Sequence, residues 1–147
     1  MEIKDILQPG CTLCAVQGTS KKRVLELISD VASKHVSDID QATILASLMN
    51  RERMGSTGIG NGIALPHGRL KDLKNVLAVV VTNQTPIEYD AIDNLPVDIF
   101  FAILVPEDKA TEHLGTLSAI AAKLSDKDTL KRMRQAHTDE ELFKVIN

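Results

Sequence analysis

An α/β domain in which helices cover a mixed sheet is the fold class this sequence predicts, and three observations carry it. Apolar residues recur at helical spacing over 21–35 and again up to Arg53, so two helices come early. Two nearly unbroken apolar runs follow, NVLAVVVT at 75–82 and VDIFFAILV after Pro96, of the kind found in buried strands. Helical spacing then returns and holds to the end. The order helices, strands, helices gives a sheet flanked by helices in a single domain, residues 1–147.

The elements can be taken in order. Ile3, Ile6 and Leu7 precede Pro9-Gly10, a turn signal, and 12–16 reads as a short strand or an irregular segment. Ser20 is a plausible N-cap for the helix over 21–35, whose apolar face is Val24, Leu25, Leu27, Ile28, Val31 and Ala32. His35, near its C-terminus, is a cation where the helix dipole favours one. Asp38 or Asp40 caps the second helix, which carries Ile44, Leu45, Leu48 and Met49 and stops near Arg53 ahead of Gly55. Ile63-Ala64-Leu65 reads as a short strand delivering His67, and 87–93 as an edge strand or a loop. Beyond Pro106, Leu114, Leu117, Ile120, Ala121 and Leu124 mark a helix from about 109 to 124. Ser125 or Asp126 caps another, to about Ala136. Thr138 with Glu141 predicts a capping box for a last helix over 139–146.

Composition narrows the function. At 147 residues, 44% hydrophobic and 25% charged, the chain can bury a core without disulfides. Aromatics are only 3%, so that core must be aliphatic. The net charge of −3 and the absence of a basic stripe disfavour nucleic acid as a partner. The N-terminus has no apolar h-region and the run 99–105 is too short to span a bilayer, so a soluble, cytoplasmic protein without membrane insertion is expected. Cys11 and Cys14 make a lone C-x-x-C with neither a βαβ context nor further metal ligands, and read as incidental thiols.

The chemistry gathers in RERMGSTGIGNGIALPHGRL, residues 51–70, which holds five of the eight glycines. Successive backbone N–H groups in such a loop form anion-binding concavities. The nucleotide fingerprints fail: there is no Gly-Lys pair for a P-loop, and Gly58-x-Gly60-x-Gly62 has the wrong third spacing for a dinucleotide fold. His35, His113 and His137 are distant in sequence from His67 and form no metal-binding pattern, so no metal or other cofactor is expected. What remains is nucleophilic chemistry at His67, held between Pro66 and Gly68. Neutral imidazole is a competent nucleophile, and a phosphoryl group on it would need donors to its oxygens. Loop N–H groups such as that of Gly68, the Ser56 and Thr57 hydroxyls and the Arg51 guanidinium are candidates. From the residues alone, an ordinary loop histidine stays an open alternative.

GSTGIGNGIALPHGRL resembles the active-site signature of the enzyme IIA domains of the fructose/mannitol/nitrogen-regulatory class of the bacterial phosphotransferase system. The resemblance covers nearly the whole chain, including SKKRVLELIS, RERMGSTG, TPIEYDAIDNLPVDIFFAILVP, HLGTLSAIA and DEELFKVI. It is nearest to the nitrogen-type enzyme IIA. It implies a three-layer α/β/α domain in which His67 accepts a phosphoryl group from the phosphohistidine of an HPr-like carrier, a nitrogen-type one. Arg51 then pairs with the phosphate. His113, in the E-H-L that opens a later helix, stabilises phosphoryl oxygens or orients His67; without the resemblance it reads as a surface histidine. Thr57 and Asn61 match motif positions, although Asn61 is explained equally by the left-handed conformation Asn tolerates. Ile59, Ile63 and Leu65 are candidates for an apolar rim that meets the donor, with core packing as the alternative for all three. No cofactor is implied. The implied role is regulation through partners such as potassium transport systems, sensor kinases and enzymes of nitrogen or carbon metabolism. A sugar-specific component passing the group to a permease is the alternative. A non-catalytic relative, like an anion-transporter domain, fits poorly with Arg51 and Pro66-His67-Gly68 both present.

Overall fold

A six-stranded mixed sheet forms the centre of the structure, a computed structural model in which residues 2–147 are described. The chain runs α1 (Ile3–Ile6), β1 (Leu7–Val16), α2 (Lys21–Ser33) and α3 (Gln41–Arg53), then three short strands, β2 (Gly58–Gly60), β3 (Ile63–Ala64) and β4 (His67–Leu70). The long strands β5 (Leu77–Ile87) and β6 (Val97–Pro106) follow. A 3-10 helix (Glu107–His113) then leads into α4 (Leu114–Lys123), α5 (Lys127–Gln135) and α6 (Asp139–Ile146). Across the sheet the order is β1-β5-β6-β3-β2, with β4 also paired to β6. β5 and β6 are antiparallel, while β1 runs parallel to β5 and both β3 and β4 run parallel to β6.

Every residue of β5 from Leu77 to Asn83 is buried, as is every residue of β6 from Ile99 to Leu104. A strand buried at successive positions is covered on both faces, which explains why these runs lack polar alternation. Helices α2 and α3 pack on each other, α3 lies against β4 and α2 against β5, while α6 packs on β1 with α5 beside it. Four helices start where side-chain caps allow. Ser20 accepts from the Arg23 N–H at 3.2 Å, Asp40 from Thr43 at 2.8 Å, Asp126 from Thr129 at 3.3 Å and Thr138 from Glu141 at 3.0 Å. The choice between Asp38 and Asp40 thus falls to Asp40, and that between Ser125 and Asp126 to Asp126.

Three details differ from expectation. Pro9-Gly10 does not end the strand but lies in a bulge within β1: from Leu7 to Thr12 the strand advances five residues while its partner β5 advances two, from Ala78 to Val80, and at an edge strand the missing N–H is tolerated. The capping box is displaced, since Glu141 reaches back to the His137 N–H at 2.8 Å, one residue before the cap. The helix expected from about 109 begins as a 3-10 turn and becomes α-helical only at Leu114. Of the edge strand or loop expected over 87–93, the loop is found: β5 ends at Ile87, and 88–93 folds Tyr89 and Ala91 back into the core. Leu114, counted on the apolar face of α4, lies outside the residues whose side chains are described.

Cys11 is fully buried, which pushes its thiol up to about 11, and Cys14 donates to the Ala136 carbonyl at 3.0 Å. The His35 ring meets the Val31 carbonyl at 3.0 Å, at the end of α2. Among the described residues no helix is long and apolar enough to cross a membrane.

Candidate functional site

His67 is delivered by a strand that is interrupted just before it. β3 pairs Ile63 and Ala64 with Ile99 and Phe100, and β4 pairs His67 to Leu70 with Ile103 to Pro106. Between them Pro66 has no N–H to give, but its carbonyl accepts from Ile103 at 2.9 Å, so the chain keeps its line along β6. The Leu65 carbonyl is then the partner of the His67 ring: Nδ1 lies 2.7 Å from it. On the other side of the ring, Arg51 Nε lies 3.2 Å from Nε2. A carbonyl only accepts and a guanidinium only donates, so the two contacts together require a neutral ring protonated at Nδ1. The lone pair of Nε2 faces Arg51.

The electrostatics agree with this geometry. Burial lowers the pKa of His67, the hydrogen bond to Leu65 opposes that, and the Arg51 charge lowers it again, for a net position below the ordinary 6.5. The imidazole is therefore neutral at pH 7. Arg51 is itself held by a second bond, Nη1 to the Gly55 carbonyl at 2.8 Å. Gly68 lets these parts come together. A Cβ there would run into the Ser47 hydroxyl and meet the Ser47 carbonyl carbon at 3.2 Å, so glycine is what allows β4 to lie this close to α3.

Arg51, His67, Gly68, Arg69, Lys71 and His113 line one open cleft of about 770 Å³. His113 reaches it from the last residue of the 3-10 helix, and Met54, Val105 and Leu117 supply apolar wall. The structure thus gathers Arg51, His67, Gly68 and His113. Ser56, Thr57 and Asn61 do not line the cleft. Ser56 donates to the Tyr89 carbonyl at 2.8 Å and accepts from the Gly58 N–H at 3.1 Å, which ties the loop to the 88–93 segment. Thr57 is buried, with its hydroxyl donating to Glu52 at 2.6 Å. Asn61 sits at φ 57° in the β2–β3 turn, where its N–H donates to Asp93 at 2.9 Å and its carbonyl accepts from Arg134 at 2.7 Å. These contacts shape the loop. The apolar rim is also not the expected one: Ile63 and Leu65 are core residues, and Ile59 is exposed on β2 away from the cleft.

A residue not singled out from the sequence holds the neighbourhood together. The Glu52 carboxylate, in the last turn of α3, is buried among five donor contacts. It accepts from the Thr57 hydroxyl at 2.6 Å, from the Thr57 N–H at 3.1 and 3.3 Å, from Lys21 at 3.0 Å and from the Tyr89 hydroxyl at 3.2 Å. Burial alone would raise its pKa, but the Thr57 and Lys21 contacts outweigh that and the net direction is down, so it is ionised. Lys21 also stands 4.4 Å from the centre of the Tyr89 ring. A signal was present in the sequence. Glu52 lies between two arginines at a helix C-terminus, where the dipole disfavours an anion unless something specific holds it.

The model of the family described as phosphoenolpyruvate-dependent sugar phosphotransferase system, EIIA 2, matches residues 5–147. A nitrogen regulatory protein from Escherichia coli K12 is 47% identical over 147 residues, covering 99% of this chain and 90% of that protein. A nitrogen regulatory protein from Pseudomonas aeruginosa is 42% identical over 146 residues, covering 99% and 95%. The crystal structure of nitrogen regulatory protein IIA-Ntr from Neisseria meningitidis superposes with a TM-score of 0.91 at 32% identity, covering 99% of both chains.

Proposed function

Because the chain belongs to the phosphotransferase system EIIA 2 family, we propose that His67 carries a phosphoryl group on Nε2, received from the phosphohistidine of an HPr-like carrier. The observation that carries this reading is the ring held neutral at both ends, with Nδ1 on the Leu65 carbonyl and the Nε2 lone pair toward Arg51 and the cleft.

In the transfer, the Nε2 lone pair attacks phosphorus, the donor's N–P bond breaks and its electron pair returns to the donor imidazole. A donor ring protonated on its other nitrogen leaves neutral. The new N–P bond leaves positive charge on the His67 ring, which the Leu65 carbonyl stabilises through the Nδ1–H. Arg51 has to yield its bond to Nε2, and its guanidinium then faces the arriving phosphoryl oxygens, where a planar fork of donors is well matched. His113, on the same cleft, is the second cation-capable group for those oxygens. Gly68 serves by close approach. Phosphoryl transfer of this kind rests mainly on positioning and charge stabilisation.

The use of the group is regulatory in this reading. Relatives 47% and 42% identical over nearly the whole chain are named nitrogen regulatory proteins, and phosphorylation at the cleft adds negative charge to a surface that partner proteins read. Partners of the potassium-transport or sensor-kinase kind fit that role. The family description names sugar transport, so onward transfer to a permease component is the second reading. The test is labelling with phosphoenolpyruvate, enzyme I and a purified carrier. Wild type is expected to label and His67→Ala to stay unlabelled, with a nitrogen-type carrier outpacing a sugar-type one. Labelling of His67→Ala would refute the site; preference for the sugar-type carrier with onward transfer to a permease would refute the regulatory use.

A further inference from the structure

The structure points to a role for Glu52 beyond packing: we propose that it is the positioning residue for Arg51, through a buried clamp with Thr57, Tyr89 and Lys21. The inference rests on the reading of His67 as phosphoryl acceptor.

Arg51 lies in the last turn of α3, which closes with 3-10-type bonds from the Met54 N–H to the Arg51 carbonyl and from the Gly55 N–H to the Glu52 carbonyl, both 3.2 Å. Its guanidinium is useful only if the helix end and the 54–57 loop keep a fixed relation, since it bonds the His67 ring with Nε and the Gly55 carbonyl with Nη1. Glu52 supplies that relation. It is the next residue along the helix, and its carboxylate grips Thr57 twice, by hydroxyl and by backbone N–H, across the loop that contains Gly55. Gly55 has φ +151° and open space where a side chain would be, so the turn rests on hydrogen bonds and not on packing: the Gly55 N–H donates to the Glu52 carbonyl at 3.2 Å and the Gly55 carbonyl accepts from Arg51.

The other partners fix the clamp to the rest of the fold. Tyr89 is fully buried, packs on Phe100 of β6 with ring centres 5.6 Å apart, and brings its hydroxyl to both Glu52 and Thr57. Lys21 comes from the first turn of α2. Thus one carboxylate joins α3, the glycine loop, α2 and, through Tyr89, the strand that carries the ladder to His67. The cost of burying an ion is met by donors on every side, the condition under which a buried carboxylate persists. A group that served stability alone would be replaceable here by an apolar side chain of similar volume. What such a side chain lacks is the hold on the Thr57 N–H, and so on the turn that seats Arg51.

A positioning residue acts through the residue it positions, and that is measurable. In rapid-quench transfer from a phosphorylated carrier, Glu52→Gln is expected to lower the maximal rate on the order of 10- to 100-fold, with the donor concentration at half-maximal rate unchanged. In an Arg51→Ala background the same change is expected to add almost nothing. Tyr89→Phe, which removes one donor and keeps the ring, gives a smaller loss with the same dependence on Arg51. It stands in if Glu52→Gln does not fold. Independent, multiplying losses in the double variants would overturn the proposal, as would a rate unchanged in both single variants. A readout free of phosphoryl transfer separates this from the parent reading: the Arg51 Nε–H nuclear resonance is expected to exchange slowly with solvent in the wild type, where it is bonded to His67, and rapidly in Glu52→Gln. Wild-type protein that takes no label refutes the acceptor reading, whereas an undisturbed Arg51 resonance refutes the clamp.

Discussion

Gly68→Ala tests how closely the site depends on the contact between β4 and α3. The added methyl meets three atoms of Ser47: its hydroxyl, its Cβ at 3.1 Å and its carbonyl carbon at 3.2 Å. The hydroxyl can turn away only by giving up its 2.9 Å bond to the Arg69 carbonyl, worth about 1 kcal/mol. The other two atoms belong to the helix itself and move only if α3 backs away by a few tenths of an ångström. Overpacking of this kind costs about 1–3 kcal/mol. Ser47 is one turn before Arg51 on the same helix, so the retreat also lengthens the 3.2 Å contact between Arg51 and His67. The expected result is a melting temperature lower by several degrees and a transfer rate reduced on the order of tenfold. Ser47→Ala in the same chain removes the hydroxyl and restores part of the stability, leaving the Cβ contact. Wild-type melting and transfer in Gly68→Ala would refute the argument that glycine is required by the helix contact.

The depressed pKa of His67 has two consequences for pH. The neutral ring is the nucleophile, so transfer is expected to hold its plateau as pH falls through 6.5 and to decline only below it; a midpoint at or above 6.5 would contradict the assigned environment. The same shift is a stability term. A histidine easier to protonate when unfolded contributes stability that is present above 6.5 and lost as pH falls through the lower folded value. Melting curves of wild type and His67→Ala are therefore expected to converge as pH drops below 6.5, to the extent that the ring's packing is matched in the variant.

Much of this was legible in the residues because the signals were local. Ser20, Asp126 and Thr138 are short polar side chains placed just ahead of apolar periodicity, and each caps its helix as the pattern required. The apolar runs of β5 and β6 declared strands buried on both faces. His67 and Arg51 were legible in the loop and the helix end before it, His113 only through the family resemblance, and the three do share a cleft. What was not legible depends on tertiary partners. Pro9 is acceptable in β1 because that strand is at the edge of the sheet, a fact about neighbours and not about Pro9. Ser56 and Thr57 have hydroxyls suited to phosphate, but Tyr89 and Glu52, more than thirty residues and five residues from them respectively, take those hydroxyls first. Asn61 proved to be a turn residue held by Asp93 and Arg134, from loop and helix far along the chain. The apolar wall of the cleft does not come from the residues beside His67 in sequence. It lies on α4 and β6, and at Met54.

The proposed chemistry of His67 comes down to one nitrogen. Protein labelled with 15N at histidine, phosphorylated through a carrier and examined by nuclear magnetic resonance, reports which ring atom bears phosphorus and which keeps its proton. The expected result is phosphorus on Nε2 of His67 with Nδ1 still protonated against the Leu65 carbonyl. Phosphorus on Nδ1 of His67, or on His113, would contradict it.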